Sequence, residues 1–368
     1  MSYSGLVEYQ IQDDESIDEA VRRIAHEETA LALQDLRSPE VLGPVKSVHD
    51  CRKRCKKVRS LIRLVRDALG KRYRPTNIAF RDAGRELSAY RDAHALLATF
   101  DSLVAVSAHG PRAALTDVRA ELARRSAAST EAVGHATGPF QRAITLLETV
   151  QADIDQWELK GSGWAAIDGG IARTYTRGRD RLAEAQRNAD VHTLHILRKR
   201  AKYTWHHLRL LESAAPSVLS PLALNFNKLS DGLGDAHDLA VLQAQLRDEP
   251  DLFGGPESAM VACEFLDDQR IDLEQRSMRL AAVLYQESPQ RWAQRIGGYW
   301  NMWHELGEEQ PVGAIEDLHE INDDLNGLSV AQLRLMARDQ NIPGRSSLRR
   351  RDLLGAIRVN QLVDDPPE

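Results

Sequence analysis

VHDCRKRCKKVRSLIRLVR, residues 48–66, carries two patterns at once. Cys51, Cys55, Val58, Ile62, Val65 and Leu69 follow one another at steps of 4, 3, 4, 3 and 4, which gathers them on one side of a helix. That side is apolar and predicts packing against other helices; burial accounts for both cysteines without a ligand or nucleophile role. His49, Arg52, Lys56, Arg59, Arg63 and Arg66 follow at steps of 3, 4, 3, 4 and 3, and make the opposite side basic from end to end. Solvated helix faces usually interleave Glu with Lys at i,i+4, because like charges at that spacing repel. This one does not. From Lys46 to Arg91 there are fifteen Lys and Arg against four Asp and Glu, in a chain of formal net charge −6. Charge segregated in this way repels itself, and a polyanionic ligand offsets that cost.

The pattern recurs. HDCRKRCKKVRSLIRL (49–64) aligns with HILRKRAKYTWHHLRL (195–210) at an offset of 146 residues. Without a gap, the same offset pairs Phe80 with Phe226, Leu87 with Leu233 and Asp92 with Asp238. Arg173 to Arg209 holds ten Lys and Arg against three acids. His195, Arg198, Lys199, Lys202 and Arg209 repeat the stripe. Tyr203 and Trp205 stand where the first copy has Lys57 and Arg59, so the second stripe is thinner. GIARTYTRGRDRLAEA (170–185) sets Arg173, Arg177 and Arg181 on one face ahead of the second stripe, much as AVRRIAHEE (20–28), with Arg22 and Arg23, precedes the first. Two copies of one design predict two helical bundles related by a pseudo-two-fold axis. Lys53, Lys57, Arg85, Arg91 and Lys228 complete the candidate anion-binding set.

The rest of the 368-residue chain reads as helix throughout. Apolar residues recur every three or four positions near 16–37, 41–70, 75–100, 111–128, 137–158, 163–188, 190–214, 217–248, 255–286 and 288–307, with breaks where Gly and Pro cluster. Strand and hairpin signals are almost missing. Long helices joined by short turns predict antiparallel bundles, an all-α protein. Three cysteines suggest a reducing compartment, and the N-terminus shows no leader pattern. No apolar run reaches the ~20 residues of a membrane span. The expectation is a cytoplasmic chain with no membrane partner.

Rows of Arg and Lys recognise phosphate oxygens without reading bases. Few aromatics accompany them, as base stacking would need. A ligand made only of phosphate fits best. His49 and His195, at the head of each stripe, are placed to donate to it in protonated form. No Gly-rich phosphate loop, Gly-x-Ser-x-Gly or His-Glu-x-x-His is present. His192 with His195, and His206 beside His207, lack the further ligands of a metal site. Asp92 and Asp238 read as partners that orient arginines. The expectation is therefore no catalytic residue, no metal and no cofactor.

His49-Asp-Cys-Arg52-Lys53-Arg54-Cys-Lys56-Lys57-Val-Arg59 and His195-Ile-Leu-Arg198-Lys199-Arg200-Ala-Lys202 resemble the signature helix of the CHAD family, the conserved-histidine α-helical domain. Arg91-Asp92 and Leu233-Gly234…Asp238 resemble its motifs on the following helices. The resemblance covers roughly 10–310, with halves at 10–158 and 159–310. It implies two four-helix bundles around a basic cavity, inorganic polyphosphate as ligand, no catalysis, and association with polyphosphate granules. The Glu-x-Glu-x-Lys strand of the triphosphate-tunnel domain that many members carry has no counterpart; Glu8-Tyr-Gln-Ile-Gln is the nearest string. After an acidic linker at 311–326, residues 327–362 resemble the helix-extended-loop-helix module at the N-terminus of terminator Rho, akin to SAP modules. That likeness rests on Leu333, Ala337, Ile342-Pro343-Gly344-Arg345-Ser346 and Leu353-Leu354. Arg345, Arg349, Arg350 and Arg351 there are candidates for nucleic-acid contact. A nucleic-acid-binding protein using the stripes as a backbone clamp is the competing expectation.

Overall fold

In the computed structural model, residues 9–88, 92–106, 110–134 and 137–306 are described, with Leu333 beyond them. Arg91, the linker and the C-terminal module with its four arginines lie outside the described residues. By contact the chain divides into Met1–Asp101 with His109–Glu309, and Ser102–Ala108 with Gln310–Glu368; both basic helices belong to the first unit.

Thirteen α-helices are described, with no strand among the described residues: α1 (Ile17–Arg37), α2 (Pro39–Leu42), α3 (Pro44–Leu64), α4 (Arg66–Leu69), α5 (Tyr73–Glu86), α6 (Asp92–Val106), α7 (Arg112–Gly134), α8 (Thr137–Ile154), α9 (Asp168–Arg187), α10 (Val191–Leu210), α11 (Pro216–Asp248), α12 (Pro256–Leu284) and α13 (Pro289–Leu306). The starts reflect local chemistry. Ser16 and Glu19 form a reciprocal capping box ahead of α1. Asp190 caps α10 by accepting from the Thr193 backbone N–H at 2.7 Å. Pro44, Pro216 and Pro256 open α3, α11 and α12, where a missing N–H leaves nothing unsatisfied. The single helix expected over 75–100 is two, ending at Glu86 and resuming at Asp92. No Gly or Pro marks that break in the sequence.

In the first half α1 packs on α3 and α8, and α5 on α3 and α8. In the second half α10 lies between α9 and α11, with α12 against α11 and α13 against α9. The apolar ridge read from the sequence runs along α3, through Val65 and into α4, which divide the one helix expected over 41–70: Cys51, Val58, Ile62 and Val65 are fully buried, Cys55 and Leu69 nearly so. Each Val, Leu or Ile so buried contributes about 1.5–3 kcal/mol. Phe80 and Phe226, paired by the repeat, are both buried. Phe226 adjoins a stack in which the rings of Tyr175 and Trp292 lie 4.3 Å apart.

The halves meet along α3. The His207 imidazole donates through Nε2 to the Ser60 carbonyl at 3.0 Å. Gly170 of α9 touches the end of α3 so closely that a Cβ there would fall 1.8 Å from the Leu64 carbonyl oxygen. Only glycine permits that crossing. The N-terminal segment bridges both basic helices, with Tyr9 Oη donating to the Lys57 carbonyl at 2.9 Å and Ile11 N–H to Leu210 O at 2.9 Å.

Candidate functional site

The cations of α3 leave the helix on two sides. Arg54 and Lys57 turn toward α1, where Glu28 is completely buried and Asp35 almost so. Lys57 Nζ lies 2.6 Å from Glu28 and Arg54 Nε 2.8 Å from Asp35. Burial without compensation would make those carboxylates costly, and the two cations supply it. Lys57 thus belongs to the bundle interior, although its place in the sequence put it with the ligand set.

The other side keeps the expected stripe. Arg52 donates to the Gly84 carbonyl of α5. Arg59 donates to the Asn77 side chain at 3.2 Å, and Arg63 bonds to the Arg59 carbonyl at 2.6 Å. The Arg63 guanidinium covers the Tyr203 ring of α10 at 4.3 Å, and Arg66 that of Tyr73 at 4.9 Å. His49, Lys53 and Lys56 are exposed.

The repeat returns as geometry on α10 and α11. Arg198, the counterpart of Arg52, donates to the Ser230 carbonyl at 3.3 Å, and Ser230 is the counterpart of Gly84. Gly234 lets it lie there: a Cβ at that position would meet the guanidinium at 2.7 Å. Lys202 reaches Asn227 at 2.8 Å and Asp231 at 3.4 Å, with its ammonium 3.9 Å from the Trp205 ring centroid. The His195 and His237 rings lie in contact, centroids 4.4 Å apart and planes tilted by 32°.

Between α3 and α10, like charges face one another. Burial holds Lys199 below the ordinary lysine value, and Arg200, Arg59 and Arg198 push it further. Burial and then Arg177, Arg63 and Arg181 act likewise on Arg200. Burial and Arg63 depress Arg59. Lys202 is depressed by burial despite Asp231, with Arg198 and Lys53 adding to the effect. The two stripes therefore form one cationic field, and Arg177 and Arg181 of α9 belong to it. Arg200, midway between the stripe positions Arg198 and Lys202, was not singled out by the sequence. Its signal was the Arg-Lys-Arg triplet common to both copies.

Several predicted residues are engaged elsewhere. Arg22 bonds Asp18 and the Trp157 carbonyl. Arg173 bonds Asp67, and Arg181, though part of the field beside Arg200, also bonds Glu184. Arg209 pairs with Glu212 at 2.8 Å. Arg85 is exposed beside Asp82, and Lys228 is exposed on α11. No cluster of three or more His, Cys, Asp or Glu arranged for a metal occurs among the described residues. No described helix is long and apolar enough to cross a membrane.

The model of the CHAD domain matches residues 16–247, inside the 10–310 expected. Among solved structures, the crystal structure of the CHAD domain from the plant Ricinus communis superposes with a TM-score of 0.53 at 19% identity, covering 73% of this chain and 94% of that one. At that identity the likeness is one of fold. No curated protein matches the sequence.

Proposed function

The chain belongs to the CHAD family, and from that premise we propose that it binds inorganic polyphosphate, without chemistry, along the cations that α3 and α10 hold together. The family is associated with polyphosphate binding in general. One observation carries the reading for this chain: Lys199 faces Arg59, and Arg200 faces Arg63, across the junction of the two basic helices. Like charges crowded on half-buried helix faces destabilise the empty protein and favour a ligand that brings many negative charges at once. Arg and Lys at successive helical steps present donors in a row, which suits a chain of phosphates.

The aromatic rings beside the stripes support phosphate over nucleic acid. Tyr203, Tyr73 and Trp205 already carry Arg63, Arg66 and Lys202 on their faces. Rings so covered are poorly placed to stack on bases.

The test is a titration of labelled polyphosphate at near-physiological salt, challenged with single-stranded DNA, RNA and orthophosphate. Competition by unlabelled polyphosphate alone is expected, with affinity falling steeply as salt rises. Equal competition by nucleic acid would make the site a general polyanion clamp. Incubation with polyphosphate and a divalent metal is expected to release no orthophosphate. Association with polyphosphate granules belongs to the same proposal and is read by imaging the tagged chain in polyphosphate-rich cells.

A further inference from the structure

The His195–His237 pair, two rings in tilted contact, stands apart from the fixed charges around it. His195 heads the second stripe on α10, and His237 reaches it from α11. The repeat sets His237 opposite Arg91, so a titratable ring stands where the first half has a permanent cation. Neither imidazole Nδ1, both buried, has a hydrogen-bond partner among the described residues.

The groups around the pair are mostly positive. His192, Arg198 and Lys199 of α10 act on His195 together with His237. Arg198 and Lys199 also act on His237, and Asp238 beside it on α11 opposes them. Glu274 of α12 lines the small cavity next to His237, where Arg270 holds it at 2.6 Å. Thr99 of α6 donates to Asp238 at 3.3 Å. Asp235, one turn before Asp238 and exposed on one side, is the group here closest to neutrality. Enclosure, then Asp231 and Asp238, push it up to about 6.

We propose that His195 and His237 form a proton-gated part of the polyanion site: neutral while the site is empty, the pair takes up a proton when polyphosphate arrives and then donates from the freed ring nitrogens. The inference rests on the polyphosphate reading and adds its regulation. In the empty protein, burial first and the neighbouring cations second hold His195 at about 4, and His237 is lowered in the same way. A phosphate chain alongside reverses the sign of the local field and favours imidazolium. Two charged rings with centroids 4.4 Å apart repel, so the pair takes up about one proton, not two. A group whose pKa rises on binding strengthens binding as pH falls, between its bound value and its free value.

The experiment is calorimetry of the intact chain with long-chain polyphosphate at pH 6.0 and 7.5, in buffers of different ionisation enthalpy. Internal phosphates stay ionised over that range, so proton uptake reports the protein. Uptake approaching one proton is expected at the lower pH, with affinity rising up to about tenfold per unit. The variant His237→Arg supplies the first half's cation and is expected to bind well with most of the pH dependence gone. His195→Asn with His237→Asn should lose affinity at pH 6.0 and little at pH 7.5, which a merely structural role would not produce. Asp235→Asn removes only that carboxylate's own uptake. Tight binding with no proton uptake, or uptake unchanged in His237→Arg and in the double Asn variant, overturns this inference and leaves the function reading standing. Absence of polyphosphate binding at every pH overturns both.

Discussion

α3 and α10 occupy equivalent places in the repeat, yet they hold their charge differently. α3 fixes its inward cations on buried acids: Lys57 on Glu28 and Arg54 on Asp35. α10 has Tyr203 at the position of Lys57, and buried His206 and His207 at the positions of Ser60 and Leu61. Where α5 carries Arg85, α11 carries Asp231, bonded to Lys202. The first half is thus permanently charged and internally compensated, and the second is adjustable, with buried rings held neutral in the empty protein. A shared sequence pattern preserves which face is basic. It does not preserve how that face is balanced.

The largest expected difference breaks the interior of α3. Lys57→Ala leaves the fully buried Glu28 with Arg54 at 3.4 Å as its remaining cation and should cost about 3–5 kcal/mol. Tyr203→Phe, at the same place in α10, should change stability little; chemical denaturation of both variants reads the contrast. Next comes pH. Burial holds His207 at about 4, below the usual 6.5, so the unfolded chain takes its proton first. Stability is full above about pH 6.5 and declines as pH falls toward 4, by about 3 kcal/mol for this one ring. His206 is shifted the same way. Hydrogen exchange should therefore show α10 opening before α3 as pH falls, and a flat profile would contradict the buried neutral rings.

Smaller effects sharpen the contrast at the site. Lys199→Glu removes repulsion from Arg59, Arg198 and Arg200, so the melting temperature of the free protein should rise. Its polyphosphate affinity should fall by about 1.5–3 kcal/mol. Lys53→Glu, its counterpart on α3 and exposed as it is, lacks the facing arginines and should weaken binding with a smaller gain in melting temperature. Gly234→Ala displaces the Arg198 guanidinium and should cost about 1 kcal/mol in affinity. Ser88→Ala, the matching position in the first half, should cost almost nothing.

Much of this was legible because helices are periodic. The core side of α3, the basic stripe, the pairing of Arg52 with Arg198 and most element boundaries emerged from spacing; the breaks that divide the helices expected over 41–70 and 75–100 did not. What stayed hidden depended on distant partners. Nothing near Lys57 reveals that Glu28 lies buried beside it, and nothing near Arg22 reveals the Trp157 carbonyl. Arg200 owes its surroundings to α9, and His237 owes its ring contact to His195 of α10. The break between α5 and α6 carries no local signal, because Leu87 and Ser88 do not by themselves end a helix.

Gly170 against the Leu64 carbonyl has a bearing beyond the packing of two helices. Contacts between side chains adjust by changing rotamer, but backbone resting on backbone has no such slack. The separation of α3 and α9 at that crossing is a gauge length, set when the chain folds and unchanged by what binds later. Arg177 and Arg181 ride on α9 from that point, opposite Arg63 and Arg200. The width of the cationic field at this end is therefore calibrated by a missing methyl group.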